Sequence, residues 1–348
     1  MANALDLLFF VGRPFSPIYA LAMHLRSRCY RRGIFRQHKL PVPVISVGNL
    51  VLGGTGKTPV VQHIGRLLQK KGFRPAIVSR GYRGRAAAAV NIVSDHQELF
   101  LSAVEAGDEP YLLAKTLPGV PVLTGRRRLF PARQAIDRYQ VDAIILDDGF
   151  QHLGLYRDID LVLFDAGAQA GSSRVFPGGP LREPISALQR CHAFLLTGRT
   201  PQNQMRAGLF AELLEKKFPH APTFFSDFDR PRLLDAAGRD LLDQAHGERY
   251  LAFCGIANPQ RFYHSLEELN LPLAGFMPLA DHQRYSPAVL QRIIAKAQAE
   301  GAGWLITTEK DFVKLAGVNL PLPICRLVVG QKVAAAFDEF LGKMLATR

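Results

Sequence analysis

Gly48-Asn49-Leu50-Val51-Leu52-Gly53-Gly54-Thr55-Gly56-Lys57-Thr58 is the stretch on which the fold turns. Just before it, Pro43–Val47 has the character of a short buried strand. Beyond it, Val60, Val61, Ile64, Leu67 and Leu68 recur at helical spacing, and Lys70, Lys71 and Gly72 provide a basic last turn and a glycine stop. Strand, glycine loop, Lys-Thr and helix in that order predict a phosphate-binding loop. Glycines let backbone amides turn toward one anion, and the helix N-terminus adds positive potential. Gly53, Gly54, Thr55, Gly56, Lys57 and Thr58 are therefore the expected phosphate residues. Lys57 is expected to reach the β- and γ-phosphates of a nucleotide, and Thr58 to hold Mg²⁺. Val51 stands where the usual pattern has a glycine, so the backbone path through the first half of the loop is a variant.

Working outward, Ala143–Leu146 is an apolar run that ends in Asp147-Asp148. A buried parallel strand ending in an acid is how such folds bring a carboxylate to the metal, so Asp147 and Asp148 join Thr58 as expected Mg²⁺ residues. Further short runs lie at Ala76–Ser79, Val120–Thr124, Ile159–Asp165 and Ala193–Thr197. Helical patterns alternate with them. The reading is an α/β fold, a P-loop NTPase-like, mainly parallel sheet wound by helices, whose ligands gather at the carboxyl ends of the strands. Polar residues 201–222 with Pro201, Pro219 and Pro222 suggest a linker. A second set of strands at Tyr250–Cys254, Trp304–Thr307 and Ile324–Val328 predicts a smaller α/β domain. The expected division is a helix over 1–33, a kinase core over 34–200, a linker region over 201–230 and a C-terminal domain over 231–348.

Charge narrows the partners. The chain has 43 Lys and Arg against 30 Asp and Glu, a net charge of +13, which calls for an anionic partner. Seven basic residues and one acid fall in residues 1–40, among Leu5, Leu7, Leu8, Phe9 and Phe10. Ser16 suits an N-cap with Pro17 at the first helical position, and Ile18, Leu21, Ala22, Leu25 and Cys29 share one helix face. The uncharged stretch between Arg13 and His24 is too short to span a bilayer. The charge follows the apolar run, which is the wrong order for a signal peptide. Two readings stay open: a helix packed on the protein, or an interfacial helix on an anionic membrane surface. Tyr30 and Phe35 among the arginines also suit RNA, but the apolar run favours lipid, and no nucleic-acid partner is expected. Four scattered cysteines without a CxxC pair exclude a disulfide framework and fit a reducing cytosol.

The residues alone predict a Mg-nucleotide protein with a cationic, apolar amino terminus. Asp108, His152, Asp281 and His282 are the candidate acids and bases; Asp108, in Gly107-Asp108-Glu109-Pro110, equally suits a helix cap. The blocks taken together go further. The loop and Pro59, Ser79-Arg80-Gly81-Tyr82, Gly107-Asp108-Glu109-Pro110, Asp147-Asp148-Gly149-Phe150-Gln151-His152, Pro180-Leu181-Arg182-Glu183-Pro184, Phe253-Cys254-Gly255-Ile256-Ala257, Asp281-His282 and Thr307-Thr308-Glu309-Lys310-Asp311 occur in order along most of the chain. In this the chain resembles the tetraacyldisaccharide 4'-kinases, the lipid A 4'-kinases of Gram-negative bacteria, whose loop also has the variant form.

The resemblance implies transfer of the ATP γ-phosphate to the 4'-hydroxyl of an acylated disaccharide 1-phosphate, giving lipid IVA. It implies Asp108 as the base paired with His282, and a catalytic set that also takes in Lys57 and Arg182. It further implies ATP and Mg²⁺ as cofactors, a monomer, and a peripheral or monotopic place at the cytoplasmic face of the bacterial inner membrane. The competing reading is a membrane-associated nucleotide switch or partitioning ATPase without a small-molecule acceptor. A guanine reader is disfavoured, because Thr308-Glu309-Lys310-Asp311 has Glu where an Asn-Lys-x-Asp motif has Lys.

Overall fold

The computed structural model describes residues 4–347. Two helices open the chain, α1 (Ala4–Gly12) and α2 (Ser16–Arg31). Then come β1 (Val44–Asn49), α3 (Lys57–Lys70), β2 (Pro75–Ser79), β3 (Asn91–Ser94), α4 (Ala103–Ala106) and α5 (Asp108–Thr116). They are followed by β4 (Val122–Thr124), α6 (Leu129–Tyr139), β5 (Ala143–Asp147), β6 (Ile159–Asp165) and β7 (Ala193–Arg199). Next are α7 (Gln204–Lys217), β8 (Thr223–Phe228), β9 (Arg232–Leu234), β10 (Tyr250–Cys254), α8 (Pro259–Glu268) and β11 (Leu273–Pro278). The chain closes with α9 (Pro287–Ala299), β12 (Trp304–Thr308), α10 (Glu309–Phe312), β13 (Ile324–Val328), β14 (Gln331–Val333) and α11 (Ala335–Ala346).

Among the described residues, nine strands form a sheet in the order β14-β8-β7-β6-β1-β5-β2-β4-β3. Its interior pairs are parallel; the edge strands β3 and β14 run antiparallel to their neighbours. Both faces are covered, which is why β1 and β5 are buried along their whole length and lack polar alternation. One face packs Ile45, Val47, Ile145 and Leu161 against Val60, Ile64 and Leu68 of α3. The other packs Val44, Ile144 and Leu146 against Ala132 and Ala135 of α6, and Phe164, Phe194 and Leu196 against Ala207, Ala211 and Leu214 of α7. Five strands form the second sheet, β11-β10-β12-β13-β9, with α8 on one side through Phe262 and Leu266 and α9 on the other through Ile293 and Ala297.

The division of the chain differs from the sequence expectation in two places. Residues 201–230, read as a linker, fold as α7 and β8, both packed into the large sheet. The hydrophobic positions of β8 lie among prolines and polar residues, which hides a strand that pairs with β7. The C-terminal block 231–348 also does not stay together: β14 pairs with β8, and Phe337 and Leu341 of α11 are fully buried in the core beneath α3. The chain thus crosses between sheets near 229–231 and again near 329–330, where the Asp229 amide donates to the Gly330 carbonyl (3.0 Å).

The amino terminus brings a third difference. Ser16 does not cap α2, because Phe15 is already in a right-handed helical conformation and a 3₁₀ turn, Arg13–Phe15, leads straight into the helix. The Ser16 hydroxyl instead donates to the Val175 carbonyl (2.8 Å) and accepts from the Gly178 amide (2.7 Å). Tyr19 donates to the Arg182 carbonyl (3.1 Å), and Arg26 to that of Gln151 (3.0 Å). The helix therefore docks through its polar side. Ile18, Leu21 and Leu25, which would face a core in an ordinary amphipathic helix, are 67%, 59% and 53% exposed, as are Leu7, Phe10 and Val11 of α1 to similar degrees. Among the described residues, no helix is long and apolar enough to cross a membrane.

Candidate active site

The phosphate loop joins β1 to α3 at the carboxyl edge of the large sheet. Its variant first half has a structural partner. Val51 bridges to Leu181, the Leu52 amide donates to the Pro180 carbonyl (2.7 Å), and the Arg182 amide donates to that of Leu50 (2.8 Å). An extended valine at this place zips the loop to the segment that carries Arg182. The second half turns at Gly56 in the left-handed region (φ +69°). A β-carbon there would lie 2.7 Å from Gln331 Nε2 and 3.3 Å from Thr197 Oγ1, contacts that small side-chain shifts relieve, so it is the left-handed backbone that calls for glycine.

Lys57 opens α3, and its ammonium lies 3.2 Å from Asn49 Oδ1 and 3.3 Å from Asp148 Oδ1. Arg182 Nη1 grips both oxygens of Asp148 at 2.9 and 2.8 Å. Burial alone would raise the Asp148 carboxyl, but Lys57 and Arg182 outweigh it and pull it down to about 2. Its neighbour behaves oppositely. Asp147 is buried at the end of β5, accepts from Ser79 through Oδ2 (3.0 Å), and has no partner on Oδ1. Burial first, then Glu109 and Asp148, pushes it up to about 7. One orphaned carboxylate oxygen beside a second acid is a site short of positive charge. Among the described residues no group of three or more His, Cys, Asp or Glu is poised for a metal. The unpartnered oxygen of Asp147 beside Asp148 fits Mg²⁺, which takes one or two carboxylates and completes its shell with phosphate and water.

Of the sequence candidates, His152 is neutral at physiological pH: burial and then Arg128, Arg157, Arg26 and Arg80 push its imidazole down to about 4.

Asp108 and His282 come together from opposite sheets. Asp108 is the first residue of α5, yet its carboxylate does not cap the helix; Gly107 holds the cap position. Asp108 Oδ2 lies 3.0 Å from His282 Nδ1 and 3.2 Å from Lys314 Nζ. Burial would raise the Asp108 carboxyl, but the hydrogen bond from His282 and the charges of Lys314 and Lys310 bring it below its ordinary range. On the other side of the ring, Lys310 Nζ lies 3.4 Å from His282 Nε2. An ammonium can only donate and a carboxylate can only accept. The imidazole proton is therefore assigned to Nδ1, pointing at Asp108. Lys314 is fixed by fully buried Asp311 (2.9 Å), which also accepts from the Gly255 amide (2.8 Å). That inward-facing role takes Asp311 out of any base-reading motif. Asp281 is half-exposed, with its carboxylate 4.0 Å from His282 Nε2 and its carbonyl accepting from Arg83.

Sequence reasoning missed Glu109, Lys310 and Lys314. Glu109 bonds Lys310 (3.3 Å) and raises Asp147 electrostatically, so it links the two clusters. Lys310 also lines, with Thr58 and Gly56, a cleft of about 1030 Å³ between the sheets. The Thr308–Lys314 stretch after a buried strand was the available signal, but its partners are remote in sequence.

Three comparisons bear on this arrangement. Residues 8–347 match the family model described as tetraacyldisaccharide-1-P 4'-kinase. The tetraacyldisaccharide 4'-kinase of Desulfotalea psychrophila is 46% identical over 342 residues, covering 98% of this chain and 98% of that one. The enzyme of the same name from Syntrophus aciditrophicus is 41% identical over 348 residues, covering 95% and 91%. Among solved structures, the "apo" form of LpxK from Aquifex aeolicus in complex with ATP superposes with a TM-score of 0.76 at 31% identity, covering 95% of this chain and 98% of that one.

Proposed function

The chain belongs to the tetraacyldisaccharide-1-P 4'-kinase family, and from that premise we propose that its two side-chain clusters divide the labour of a single phosphoryl transfer. The protein is an ATP-dependent kinase that phosphorylates an alcohol group of tetraacyldisaccharide 1-phosphate. The Lys57–Asp148–Arg182 cluster manages the nucleotide. Amides of Gly53–Thr58 and the Lys57 ammonium bind the phosphates, while Arg182 orients Asp148. Thr58, Asp147 and Asp148 would hold Mg²⁺, which when bound supplies the positive charge that phosphoryl transfer needs.

The Asp108–His282 cluster manages the acceptor. Asp108 takes the proton of the 4'-hydroxyl as that oxygen attacks the γ-phosphorus and the bond from the γ-phosphorus to the β–γ bridging oxygen breaks, releasing ADP. The observation that carries this role is the asymmetry of its carboxylate. Oδ2 is held by His282 and Lys314, while Oδ1 has no hydrogen bond among the described residues. His282 fixes which oxygen is free, and the lowered pKa keeps the base ionised. Transfer of phosphate to that hydroxyl yields lipid IVA.

The same reading takes α1 and α2 as the membrane contact. Their exposed apolar face would enter an anionic leaflet, with Arg28, Arg31 and Arg32 at the headgroups. Support comes from the inverted packing of α2, polar side inward, and from its link through Tyr19 to the Arg182 segment. On this reading the chain works as a monomer, peripheral or monotopic at the cytoplasmic face of the inner membrane, with no nucleic-acid partner. The deciding assay incubates labelled ATP with tetraacyldisaccharide 1-phosphate with and without Mg²⁺. Mg²⁺-dependent label in the lipid is expected. Lipid-independent ATP hydrolysis with no labelled lipid would favour the switch or partitioning ATPase.

A further inference from the structure

Two partners share Asp108 Oδ2, His282 and Lys314, and both reach it from the small sheet's side of the cleft. We infer that the buried carboxylate of Asp311 positions both of them against Asp108, an inference that rests on the base reading above and deepens it.

The sequence suggests a plainer role for this acid. Thr308-Glu309-Lys310-Asp311 has the spacing of a capping box, an N-cap threonine with an acid three residues on. Thr308 does cap α10, accepting from the Asp311 amide through Oγ1 (3.1 Å). The second half of the box is missing, however. A capping-box acid reaches back to the N-cap amide, whereas the Asp311 carboxylate takes only the Thr308 hydroxyl (2.8 Å). It is also 0% exposed. A carboxylate this deep is costly unless it is paired and hydrogen-bonded, so its remaining partners carry its purpose.

Its two oxygens lead to Asp108 by two routes. Oδ1 accepts from Lys314 Nζ (2.9 Å), and the same ammonium lies 3.2 Å from Asp108 Oδ2. Lys314 sits in the 3₁₀ turn Val313–Leu315 that continues α10, and its side chain is buried. Oδ2 accepts from the Gly255 amide (2.8 Å), just past the end of β10, and the Gly255 carbonyl accepts from the His282 amide (2.9 Å). His282 needs such a hold, because its φ of +59° is in the left-handed region that side chains seldom occupy. From there its Nδ1 meets Asp108 Oδ2. The contacts close into a ring: Asp311, Lys314, Asp108, His282, Gly255 and back to Asp311. Every member but Asp108 belongs to the small sheet or its loops, so the socket is complete before Asp108 enters it. Among the described residues, the other charged groups around Asp108 are Lys310, Glu109 and Asp281. Glu109 bonds Lys310, and Asp281 lies on the far side of the imidazole. Burial and then Asp311 push the Tyr285 hydroxyl up, so the ring beside Lys314 stays neutral. Lys314 is thus the cation set directly against the carboxylate, and Asp311 sets Lys314.

The test measures kcat and the KM for ATP in the full-length enzyme with Mg²⁺ and tetraacyldisaccharide 1-phosphate. Asp311→Asn keeps the shape but removes the charge that fixes Lys314, and should lower kcat about tenfold with the KM for ATP almost unchanged. In an Asp108→Asn background the same substitution should cost less than about twofold, because Asp311 acts through Asp108. An acid that merely caps α10 would cost the same in both backgrounds. Lys314→Met combined with Asp311→Asn removes the buried pair together and leaves no unpaired charge to unfold the protein. Without the Lys314 cation the Asp108 carboxyl rises, so the acidic limb of kcat in this variant should move up by about one pH unit or more. Three results overturn the inference: an undiminished kcat in Asp311→Asn, an equal loss in both backgrounds, or an acidic limb that stays in place in the paired variant. Full kcat in Asp108→Asn alone would remove the base reading itself. A crippled Asp108→Asn with independent losses removes only the role of Asp311.

Discussion

The Lys57–Asp148–Arg182 cluster and the Asp108–His282 cluster are built in opposite ways. The first hangs from one rigid sheet, with Lys57 beginning a helix, Asp148 just past a strand end and Arg182 zipped to the loop by backbone hydrogen bonds. The second spans two sheets, joining residues 174 positions apart, and exists only while those sheets keep their mutual angle. A nucleotide grip made of local elements is preorganised by folding of the core. With Asp108 as the proposed base, assembled across a cleft, its preorganisation depends on domain position, and small changes in that position should act on proton transfer before they act on ATP binding.

The largest effect should come from breaking the rigid cluster. Lys57→Ala or Thr58→Ala is expected to lower kcat about 10³-fold in a folded protein, because each removes a group aimed at the phosphates. Near-normal kcat in either purified variant would remove the phosphate loop from the mechanism. A smaller effect, about 10²-fold, is expected for Asp108→Asn, with ATP affinity almost unchanged because the loss falls on the acceptor. A matching fall in ATP affinity would show that the two clusters are not separate.

His152 sharpens the contrast between a charged site and its surroundings. Its imidazole is neutral in the fold down to about pH 4, whereas the unfolded side chain charges near its ordinary 6.5. Between those values the unfolded state binds the extra proton, so stability falls as pH drops through this window and levels off below it. The total is at most about 3 kcal/mol by the linkage relation. Denaturant titrations from pH 7 to pH 4 should lose this slope in His152→Gln. An unchanged slope would place the proton uptake elsewhere. Smallest should be the effect of the exposed helix face. Ile18→Ser, Leu21→Ser and Leu25→Ser together should reduce partitioning to anionic vesicles about tenfold at low salt without lowering the melting temperature, since none of the three is buried. Equal partitioning, or a large drop in melting temperature, would argue that this face packs rather than inserts.

Which parts could be read beforehand follows from the same contrast. The phosphate loop, Asp147 and Asp148 were accessible because strand, turn and helix signals are local. Asp108 was ambiguous on its own residues, for an acid before Glu-Pro at a helix start is as good a cap as a base; its carboxylate makes no cap hydrogen bond and turns to His282, which supports the proposed base. Lys310, Lys314 and Glu109 escaped because their importance lies in partners across the cleft. The β8 strand was hidden by flanking prolines, and β14, three residues long, has no pattern to detect. Ser16 failed as a cap for a local reason that only coordinates reveal, the 3₁₀ turn that feeds the helix without a break.

The central claim is that residues from two sheets act as one base. A double-variant cycle on kcat tests it most directly, comparing Asp108→Asn, His282→Ala and the two combined in otherwise full-length enzyme. If His282 works by orienting Asp108, the combined loss should be close to that of Asp108→Asn alone, far less than the product of the single losses. A combined loss equal to that product would mean that the two side chains act independently, and would contradict the account.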